Sequence, residues 1–394
     1  MKLLIYSHFF APSVGGVESI VLSLARGLAE LCNQTGAKEF DVTLATQTPS
    51  TSYDDGALPF CVVRSPRLGK LWELVRASDV VHVAGPALAP LLLAHLARKP
   101  LVIEHHGYQA TCPNGLLFHH PSGAVCRGQF EAANYLECLR CNSRIEGAVG
   151  SLRLLVKTFA RRAMSREAAA NIVPSQHVAT RQGLPRTTVI LHGVEDPMRG
   201  KQKIAAQETN DRNSFAYLGR LVVEKGVSVL LEATRLLRAE GREVHVALIG
   251  DGPDRPRLEE QISASRLENA VRITGFLSGA ALSRELEKAS AVVIPTIMEE
   301  TAGLAALEQM VQGHPVIASA VGGLKEIVDG AGLTFPPNEP LALAGAMKRI
   351  MDEPALGACL GASARERALR SFSFGGMIDA HACVYRAVYQ AANR

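Results

Sequence analysis

Short apolar runs alternate with longer amphipathic segments through the first half of the chain. Six runs predict buried strands: KLLIYSHF, DVTLAT, DVVHVAG, PLVIEHHG, NIVPS and TVILHG. After the first run and the loop APSVGG, a helix is predicted from about Val17, because apolar residues then recur at helical spacing at Ile20, Val21, Leu24, Leu28 and Leu31. Strands that alternate with helices indicate a parallel sheet covered on both faces.

The same pattern begins again after a polar stretch, residues 196–213, which we interpret as a linker. SFAYLGRL predicts a strand, residues 226–240 a helix, and four further strands follow in EVHVALIGDG, AVRITGF, SAVVIPT and PVIASA. The sequence therefore predicts two doubly wound α/β domains, residues 1–195 and 214–372, with a C-terminal helix at 373–394 that packs back on the first domain. Ligands bind such sheets at the carboxyl ends of the strands, so we expect the site in a cleft between the two domains.

Composition narrows the class of protein. The 394 residues are 47% hydrophobic and 20% charged, as in an ordinary globular protein. A net charge of +4 is too small for a nucleic-acid binder. We find no apolar run long enough to span a membrane and no convincing signal peptide in MKLLIYSHFFAP. The sequence predicts a cytoplasmic protein, with the inner face of the membrane as an alternative location.

Two carboxylates lie eight positions apart in EETAGLAALEQM, residues 299–310. If the segment is helical from about Thr301, Glu300 and Glu308 are separated by about 12 Å along the axis and cannot share one proton or one metal ion. They could contact opposite ends of an extended ligand whose anionic middle lies at the helix N-terminus. A nucleotide sugar has this layout. Two solvated carboxylates are the alternative.

Further candidate residues lie where predicted strands end. Arg220 and Lys225 stand between a strand and a helix, where a guanidinium and an ammonium suit a diphosphate, although two solvated surface cations remain an alternative. Gly252 belongs to the turn GDGP, and His106 closes the strand PLVIE. The first predicted helix is preceded by Gly15 and Gly16, but without the G-x-G-x-x-G spacing that would indicate a dinucleotide.

Together these segments resemble the family-4 retaining glycosyltransferases of the GT-B fold. The resemblance covers nearly the whole chain: PSVGGVES, HHG, VPS, LHGVED, LGRLVVEKG, IGDGP, ITGF and EETAGLAALEQMVQGHPVIASAVGGLKEIV. It implies two Rossmann-like, doubly wound parallel-sheet domains that face each other across a cleft. The first would be the acceptor side, and the second would bind the nucleotide sugar.

The resemblance also implies roles for individual residues. Glu300 and Glu308 match the E-x7-E motif, whose first Glu lies by the donor sugar and whose second holds the ribose hydroxyls. Arg220 and Lys225 match the diphosphate cations, and His106 matches the active-site histidine near the donor sugar. The remaining donor-binding positions, several of which would act through backbone groups near phosphate or base, are Gly15, Gly16, Gly219, Gly252, Gly275, Phe276, Thr301, Ala302, Gly303 and Leu304.

The implied reaction transfers a hexose from a nucleotide diphosphate sugar to a hydroxyl of a sugar or lipid-linked acceptor. We expect retention of anomeric configuration, a UDP-sugar rather than a GDP-sugar, no metal cofactor for catalysis, and a role in surface polysaccharide or glycolipid synthesis. Four departures from the family pattern, at His192, Ala302, Gln309 and Lys325, leave the sugar open. The alternatives are another GT-B enzyme, such as a sugar-nucleotide epimerase, and an inactive nucleotide-sugar-binding subunit.

A long insert, residues 108–145, follows His106 and holds four of the eight cysteines. Cys112, Cys126, Cys138 and Cys141 have the spacing C-x13-C-x11-C-x2-C. One C-x-x-C with two further cysteines fits a structural Zn²⁺ site. Free thiols and a disulfide remain alternatives.

The segment SLRLLVKTFARRAMSRE, residues 151–167, predicts a basic amphipathic helix. It places Arg153, Lys157, Arg161, Arg162 and Arg166 among apolar residues. Such a helix could lie on anionic lipid and bring the protein to a lipid-linked acceptor as a peripheral membrane protein. A solvated helix face is the alternative.

Overall fold

Two parallel β-sheets organise the chain in the computed structural model, which describes residues 1–13, 15–33, 35–49, 53–85, 87–197 and 212–394. Contacts divide the chain into two units. Unit 1 comprises residues 1–121, 126–193 and 374–394, and unit 2 comprises residues 122–125 and 194–373. Most of the predicted linker, from residue 198 to residue 211, lies outside the described residues.

The first 193 residues contain nine strands and five helices within the described ranges. The strands are β1 (Lys2–Ser7), β2 (Asp41–Thr46), β3 (Cys61–Arg64), β4 (Val80–Ala84), β5 (Leu101–Glu104), β6 (Phe118–His119), β7 (Ala124–Val125), β8 (Ala170–Val173) and β9 (Thr187–Val189). The helices are α1 (Gly16–Glu30), α2 (Leu68–Ala77), α3 (Leu88–Leu96), α4 (Tyr135–Glu167) and α5 (Gln176–Gln182). The path of α4 is interrupted at Gly147, whose φ of 69° and ψ of 175° are not helical.

The rest of the described chain adds six strands and eight helices. The strands are β10 (Ser214–Leu218), β11 (His245–Ile249), β12 (Val271–Gly275), β13 (Ala291–Ile294), β14 (Val316–Ser319) and β15 (Leu333–Phe335). The helices are α6 (Val227–Ala239), α7 (Arg255–Ala264), α8 (Gly279–Leu286), α9 (Leu304–Gln312), α10 (Gly322–Val328), α11 (Pro340–Asp352), α12 (Pro354–Ser371) and α13 (Phe374–Ala392).

Strand order reverses once in each sheet. The order in unit 1 is β3-β2-β1-β4-β5-β8-β9, and the order in unit 2 is β12-β11-β10-β13-β14-β15. All the described pairings in these two sheets are parallel. In each sheet, the chain first adds strands on one side of the first strand, β1 or β10, and then adds the remaining strands on its other side. This is the doubly wound arrangement. The predicted fold class is confirmed.

The apolar runs form the inner strands of the two sheets, where both faces of a strand are buried. Every residue of β4, β5, β8, β13 and β14 is buried, as expected for strands covered on both faces. By contrast, β3 has no buried residue and β15 has three residues of which one is buried, and neither strand was predicted. Both strands are short and lie at the edges of their sheets.

The C-terminal helix belongs to unit 1 although it follows unit 2 in sequence. It packs against α1 and β4, and it buries Met377, Ile378, His381 and Tyr385. Among the described residues, no helix has the length and apolar content needed to cross a membrane.

Candidate active site

The reversal of strand order in unit 2 lies between β10 and β13, and several predicted site residues follow these two strands. Gly219 and Arg220 come directly after β10. The Gly219 N–H donates to the Ile249 carbonyl at 3.0 Å, and the buried Tyr217 hydroxyl donates to the Arg220 carbonyl at 2.7 Å. The Arg220 backbone is thereby fixed while its side chain is exposed at the carboxyl edge of the sheet, the usual place for a ligand.

Lys225 and Glu300 form an ion pair at this edge. Lys225 ends a short 3₁₀ turn, and its ammonium contacts the Glu300 carboxylate. The preceding residue, Glu224, accepts hydrogen bonds on its carbonyl from the Thr296 hydroxyl at 3.1 Å and the Ile297 N–H at 3.0 Å. These bonds hold the turn against the loop after β13. The side chains of Lys225 and Glu300 retain 27% and 12% of their exposure, so a ligand can reach the pair.

Glycines permit the close approach of loops around this pair. Gly226 has a φ of 67°, and a Cβ there would lie 2.0 Å from the Pro295 carbonyl oxygen. A Cβ on Gly252 would lie 2.3 Å from the Leu221 carbonyl oxygen. Gly252 therefore has a packing role in the described structure, because it brings the turn after β11 against the segment after β10.

The helix predicted from about Thr301 begins later, and that prediction was wrong. α9 starts at Leu304, after Gly303, whose left-handed φ of 58° interrupts the helical path. Both the Ala306 and Leu307 N–H groups donate to the Gly303 carbonyl, at 2.9 and 3.2 Å. Thr301 and Ala302 therefore belong to a loop, and the distance of about 12 Å between two carboxylates on one helix does not apply.

The carboxylates of the motif occupy different settings. Glu300 lies in the loop, where its carbonyl accepts a 2.7 Å hydrogen bond from the Gly323 N–H. Glu308 lies on α9 with its side chain exposed, and partial desolvation raises the pKa of its carboxyl.

The Tyr217 hydroxyl is influenced by the charges of both Arg220 and Glu300. Burial raises the pKa of Tyr217 most, the Glu300 carboxylate raises it further, and Arg220 lowers it. The structure thus brings together Arg220, Lys225 and Glu300, three of the four residues predicted as catalytic.

The remaining predicted donor positions in unit 2 lie at the end of β12, the edge strand. The Gly275 carbonyl accepts a 2.9 Å hydrogen bond from the Gly250 N–H. The next residue, Phe276, is 65% exposed. An exposed ring at a strand end can stack on a flat group such as a base.

In unit 1, Gly15 precedes α1 as predicted, and Gly16 begins the helix one residue before the predicted start at about Val17. The Glu18 carboxylate folds back over this N-terminus, since a Cβ on Gly15 would lie 2.4 Å from Glu18 Oε2. A carboxylate is favoured at a helix N-terminus. An anionic ligand at this position would therefore have to displace Glu18, a residue that sequence reasoning did not single out.

Glu104, at the end of β5, lies at the centre of four histidines within unit 1. Its side chain is 1% exposed. The His82 Nε2 atom lies 3.2 Å from Glu104 Oε2, His106 Nε2 lies 3.7 Å from the same oxygen, and His192 Nε2 and His381 Nε2 each lie 3.7 Å from Oε1. His82 is held in turn by Tyr385 of α13, whose hydroxyl lies 3.0 Å from His82 Nδ1.

Burial and charge oppose each other in this cluster, which we call the Glu104 cluster. Burial alone would raise the pKa of Glu104, but the surrounding imidazoles hold it well below its usual range. Burial lowers the pKa of His106 to about 4, against the attraction of Glu104. Burial likewise lowers the pKa of the neighbouring His105 to about 4, and His105 Nε2 lies 2.9 Å from Asn171 Oδ1. At neutral pH, His106 is therefore an uncharged imidazole beside a carboxylate.

Sequence reasoning predicted His106 but missed Glu104, His82 and His381, and it noted His192 only as a departure. A signal was present. Glu104 and His82 are polar residues inside otherwise apolar runs, and a fully buried polar group requires partners. The partners themselves could not be read from local sequence.

Within the described residues, one group of three potential metal ligands lies close together. The ligand atoms of Glu104, His106 and His192 are all within 4.8 Å of one another. A carboxylate with two imidazoles suits a divalent transition metal. However, His82 and His381 approach the same carboxylate, so a metal ion would compete with them for its two oxygens.

The four insert cysteines form no such group within the described chain, although they lie near one another. The Cys112 thiol donates to Asn114 Oδ1 at 2.9 Å, and the Asn114 amide donates to Cys141 Sγ at 3.8 Å. Burial raises the pKa of Cys112 to about 11 and that of Cys138 to about 12, and the Cys138 pKa is raised further by its three neighbouring cysteines. All four are free cysteines in the structure.

The fold and this site together characterise the protein. It has two Rossmann-like units, and Arg220, Lys225 and Glu300 lie where the strand order of the second sheet reverses. Residues 199–367 match the family model of "Glycosyl transferases group 1". That segment is thus similar to the group 1 glycosyl transferases, and the predicted resemblance to a glycosyltransferase family is confirmed.

Curated relatives agree with the family. Alpha-D-kanosaminyltransferase of Streptomyces kanamyceticus is 34% identical over 181 residues, which are 45% of this chain and 47% of the relative. Glycogen synthase of Mycobacterium tuberculosis is 31% identical over 208 residues, 52% of this chain and 49% of the relative. The match thus spans about half the length of each relative.

Solved structures share the fold over nearly the whole chain. HepE of Anabaena in complex with UDP has a TM-score of 0.70 at 18% identity and covers 98% of this chain and 100% of its own. Sucrose-phosphate synthase from Thermosynechococcus elongatus has a TM-score of 0.72 at 22% identity and covers 99% of both chains. At this identity the likeness concerns the fold.

Proposed function

We propose that this protein is a retaining glycosyltransferase that moves a hexose from a nucleotide diphosphate sugar to an acceptor hydroxyl. The donor is a UDP-sugar rather than a GDP-sugar, the acceptor is a sugar or a lipid-linked sugar, and the product enters surface polysaccharide or glycolipid. The observation that carries the proposal is the Lys225–Glu300 ion pair beside Arg220 at the carboxyl edge of the second sheet. The UDP complex of the structurally similar HepE supports the choice of base.

The ion pair suits a donor whose diphosphate exchanges partners with it. Phosphate oxygens would draw the Lys225 ammonium away from Glu300, and Arg220 would hold them with its fork. The freed Glu300 carboxylate could then accept a hydrogen bond from a sugar hydroxyl. Glu308 would hold the ribose hydroxyls, and backbone N–H groups around Thr301–Leu304 would face the phosphates.

The proposed chemistry needs no metal ion, because Arg220 and Lys225 stabilise the departing diphosphate. The bond from the anomeric carbon to the phosphate oxygen breaks, and a bond to the acceptor oxygen forms on the same face of the sugar. The acceptor proton passes to the leaving phosphate. His106, neutral above its pKa of about 4, would hydrogen-bond the transferred sugar without adding charge.

Thermal unfolding with UDP, GDP and ADP, each free and as sugar conjugates, tests donor binding. A ligand at about 100 times its dissociation constant should stabilise the protein by about 2.7 kcal/mol. Arg220→Ala and Lys225→Ala should remove the response. Matched controls are Arg242→Ala and Lys348→Ala, whose ion pairs with Asp352 and Glu240 lie on the surface of unit 2. No response to any nucleotide would contradict the proposal.

Product analysis separates the alternatives. A transferase consumes donor faster when an acceptor is present and conserves the anomeric configuration, which NMR of the product reports. An epimerase converts its sugar nucleotide without an acceptor, and a binding subunit forms no product. Turnover that ignores acceptors would favour the epimerase.

We also propose that Cys112, Cys126, Cys138 and Cys141 bind a structural Zn²⁺. Zn²⁺ takes thiolates at about 2.3 Å, so its binding would draw the sulfurs together and deprotonate thiols that burial otherwise keeps protonated. Elemental analysis of purified protein should find one zinc, which Cys138→Ser with Cys141→Ser removes. The exposed Cys359 and Cys383 are the controls. Zinc-free, fully folded protein would refute this site.

A further inference from the structure

The second part of α4 carries an exposed apolar stripe. After the interruption at Gly147, Val149, Leu152, Val156 and Phe159 are 76%, 54%, 59% and 45% exposed. The Phe159 ring also packs on the Phe130 and Tyr135 rings, with a centroid distance of 5.0 Å to each. Their spacing of three, four and three residues places all four on one side of the helix. We call these four residues the α4 face.

The opposite side of the same helix is small and polar. Ser151, Thr158 and Ser165 are at most 1% exposed. Leu155 is the large apolar side chain buried on this side, and the partly buried Met164 packs against the core. The Ser151 hydroxyl donates to the Leu139 carbonyl at 2.7 Å, and the Thr158 hydroxyl donates to the Leu154 carbonyl at 2.9 Å. A water-exposed helix ordinarily buries its apolar side. Here the apolar side points outward, which indicates a further interaction partner.

Positive charge surrounds the α4 face. Five of the residues from 148 to 166 are basic and none is acidic: Arg153, Lys157, Arg161, Arg162 and Arg166. At 100° per residue, Arg153 and Lys157 lie roughly 40° and 80° to one side of Val149, and Arg166 lies roughly 100° to the other. Arg153, Lys157 and Arg166 therefore border the apolar stripe on both sides, whereas Arg161 and Arg162 lie toward the buried side of the helix.

The neighbouring helix extends this character. α3 packs beside α4, and His95 of α3 lies 3.5 Å from Glu167 at the end of α4. Leu92 and Leu96 of α3 are 51% and 68% exposed. Arg98 and Lys99 follow directly in sequence. Exposed leucines and adjoining cations thus recur on the next helix.

We propose that the α4 face docks on a lipid bilayer with anionic headgroups. The apolar side chains would enter the boundary between headgroups and acyl chains, while the flanking Arg and Lys side chains reach the headgroup phosphates. A second copy of the chain fits less well, because symmetric pairing of this face would oppose two sets of cations. The inference rests on the proposed function only for the purpose of docking, which would be to give the protein access to a lipid-linked acceptor.

Cosedimentation of the full-length protein with vesicles tests the docking. Vesicles of phosphatidylcholine with phosphatidylglycerol should retain the protein at least about tenfold more tightly than phosphatidylcholine alone, and high salt should weaken retention. Leu152→Ser with Val156→Ser, and separately Arg153→Glu with Lys157→Glu, should each weaken binding at least about tenfold. All four positions are exposed or half-buried, so folding should survive.

Controls come from unit 2. Leu341→Ser removes a side chain that is 71% exposed, and Arg284→Glu reverses an exposed charge, and neither should alter vesicle binding. Equal binding by wild type and α4 variants, or equal binding to neutral and anionic vesicles, would overturn the proposal. So would a wild-type dimer that the α4 variants dissociate in sedimentation velocity without any vesicle binding.

Nucleotide stabilisation, measured on the same variants, separates this inference from the proposed function. The α4 variants should keep the full response to the nucleotide. If the wild-type protein is stabilised by a nucleotide but does not bind vesicles, the docking surface alone is refuted. Vesicle binding without a response to any nucleotide would refute the transferase and leave the docking surface standing.

Discussion

At the scale of single residues, Glu104 combines deep burial with an ionised carboxyl. Its charge is met by imidazoles from β4, the segments after β5 and β9, and α13, at distances of 3.2 to 3.7 Å. An uncompensated buried carboxylate would be strongly destabilising, so the cluster must act as one unit. His106, the predicted active-site histidine, is therefore oriented by a residue in the interior of unit 1.

Replacing Glu104 by Gln keeps the shape but removes the charge that the four imidazoles face. We expect Glu104→Gln to lower the free energy of unfolding by about 1.5 to 3 kcal/mol, because buried imidazole N–H groups lose a charged acceptor, as measured by denaturant titration at pH 7. Glu39→Gln is the matched control. Its carboxylate pairs with Arg386 at the surface, and its loss should cost about 1 kcal/mol or less. Equal losses from the two variants would contradict this account.

Acid should destabilise the protein through its buried histidines. His105 and His106 have folded-state pKa values of about 4, below the unfolded value of about 6.5. Below pH 6.5 the unfolded chain binds protons that the folded chain refuses, so stability falls with pH down to about 4. Each histidine adds a slope of up to about 1.4 kcal/mol per pH unit.

Unfolding free energies at pH 7, 6 and 5 measure this slope. His105→Gln should flatten it, because one of the two titrating groups is removed. His245→Gln, at a largely exposed site, controls for the loss of a histidine. An unchanged slope in His105→Gln would show that this residue does not carry the effect.

Sequence reasoning placed Arg220, Lys225 and Glu300 at one edge because the carboxyl ends of parallel strands meet there. It did not foresee that Lys225 pairs with Glu300, since that contact depends on how Gly226 and the loop after β13 pack. The Glu104 cluster was also beyond reach. His82 and His381 are separated by about three hundred residues of sequence, and only tertiary folding brings them to one carboxylate.

At the scale of elements, the junction of α1 and α13 depends on one glycine. Gly27 lies on the buried side of α1, and a Cβ there would lie 2.5 Å from Ile378 Cδ1. Gly27→Ala should therefore force the helices apart and destabilise unit 1 by about 1 to 3 kcal/mol. Thermal or denaturant unfolding measures the loss.

The control for this substitution lies in α13 itself. A Cβ on Gly375 would meet no atom within 4 Å. Gly375→Ala should be neutral or stabilise the helix by up to about 1 kcal/mol, because alanine has the higher helix propensity. If both substitutions had the same effect, helix propensity rather than packing would explain the result.

The elements themselves were predictable where burial was complete. Fully apolar runs identified the central strands of both sheets, but the partly exposed β3 and the short β15 gave too little pattern. The start of α9 was misplaced by three residues. A left-handed Gly303 interrupts the chain there, and the apolar spacing of GLAALEQM does not reveal a backbone angle.

At the scale of the whole molecule, unit 1 is discontinuous. Residues 194–373 are inserted between its first 193 residues and its last helix, apart from the short segment 122–125 grouped with unit 2. The two repeats of the strand-helix pattern predicted two sheets, and the structure contains them. Patterning could not reveal that α13 supplies His381 and Tyr385 to the interior of the first unit, because its apolar spacing resembles that of any surface helix.

This discontinuity predicts how fragments of the chain fold. A fragment of residues 1–195 lacks α13, so α1 and β4 lose their cover and His82 loses the Tyr385 hydroxyl. Burial of Met377, Ile378 and Tyr385 is worth about 1.5 to 3 kcal/mol each, which together approaches the whole stability of a domain. Residues 1–195 should therefore unfold at a markedly lower temperature than the same residues joined to 374–394, while residues 194–373 should unfold cooperatively alone. Circular dichroism measures the thermal unfolding of each fragment. Equal stability of the two unit 1 fragments would show that α13 is dispensable.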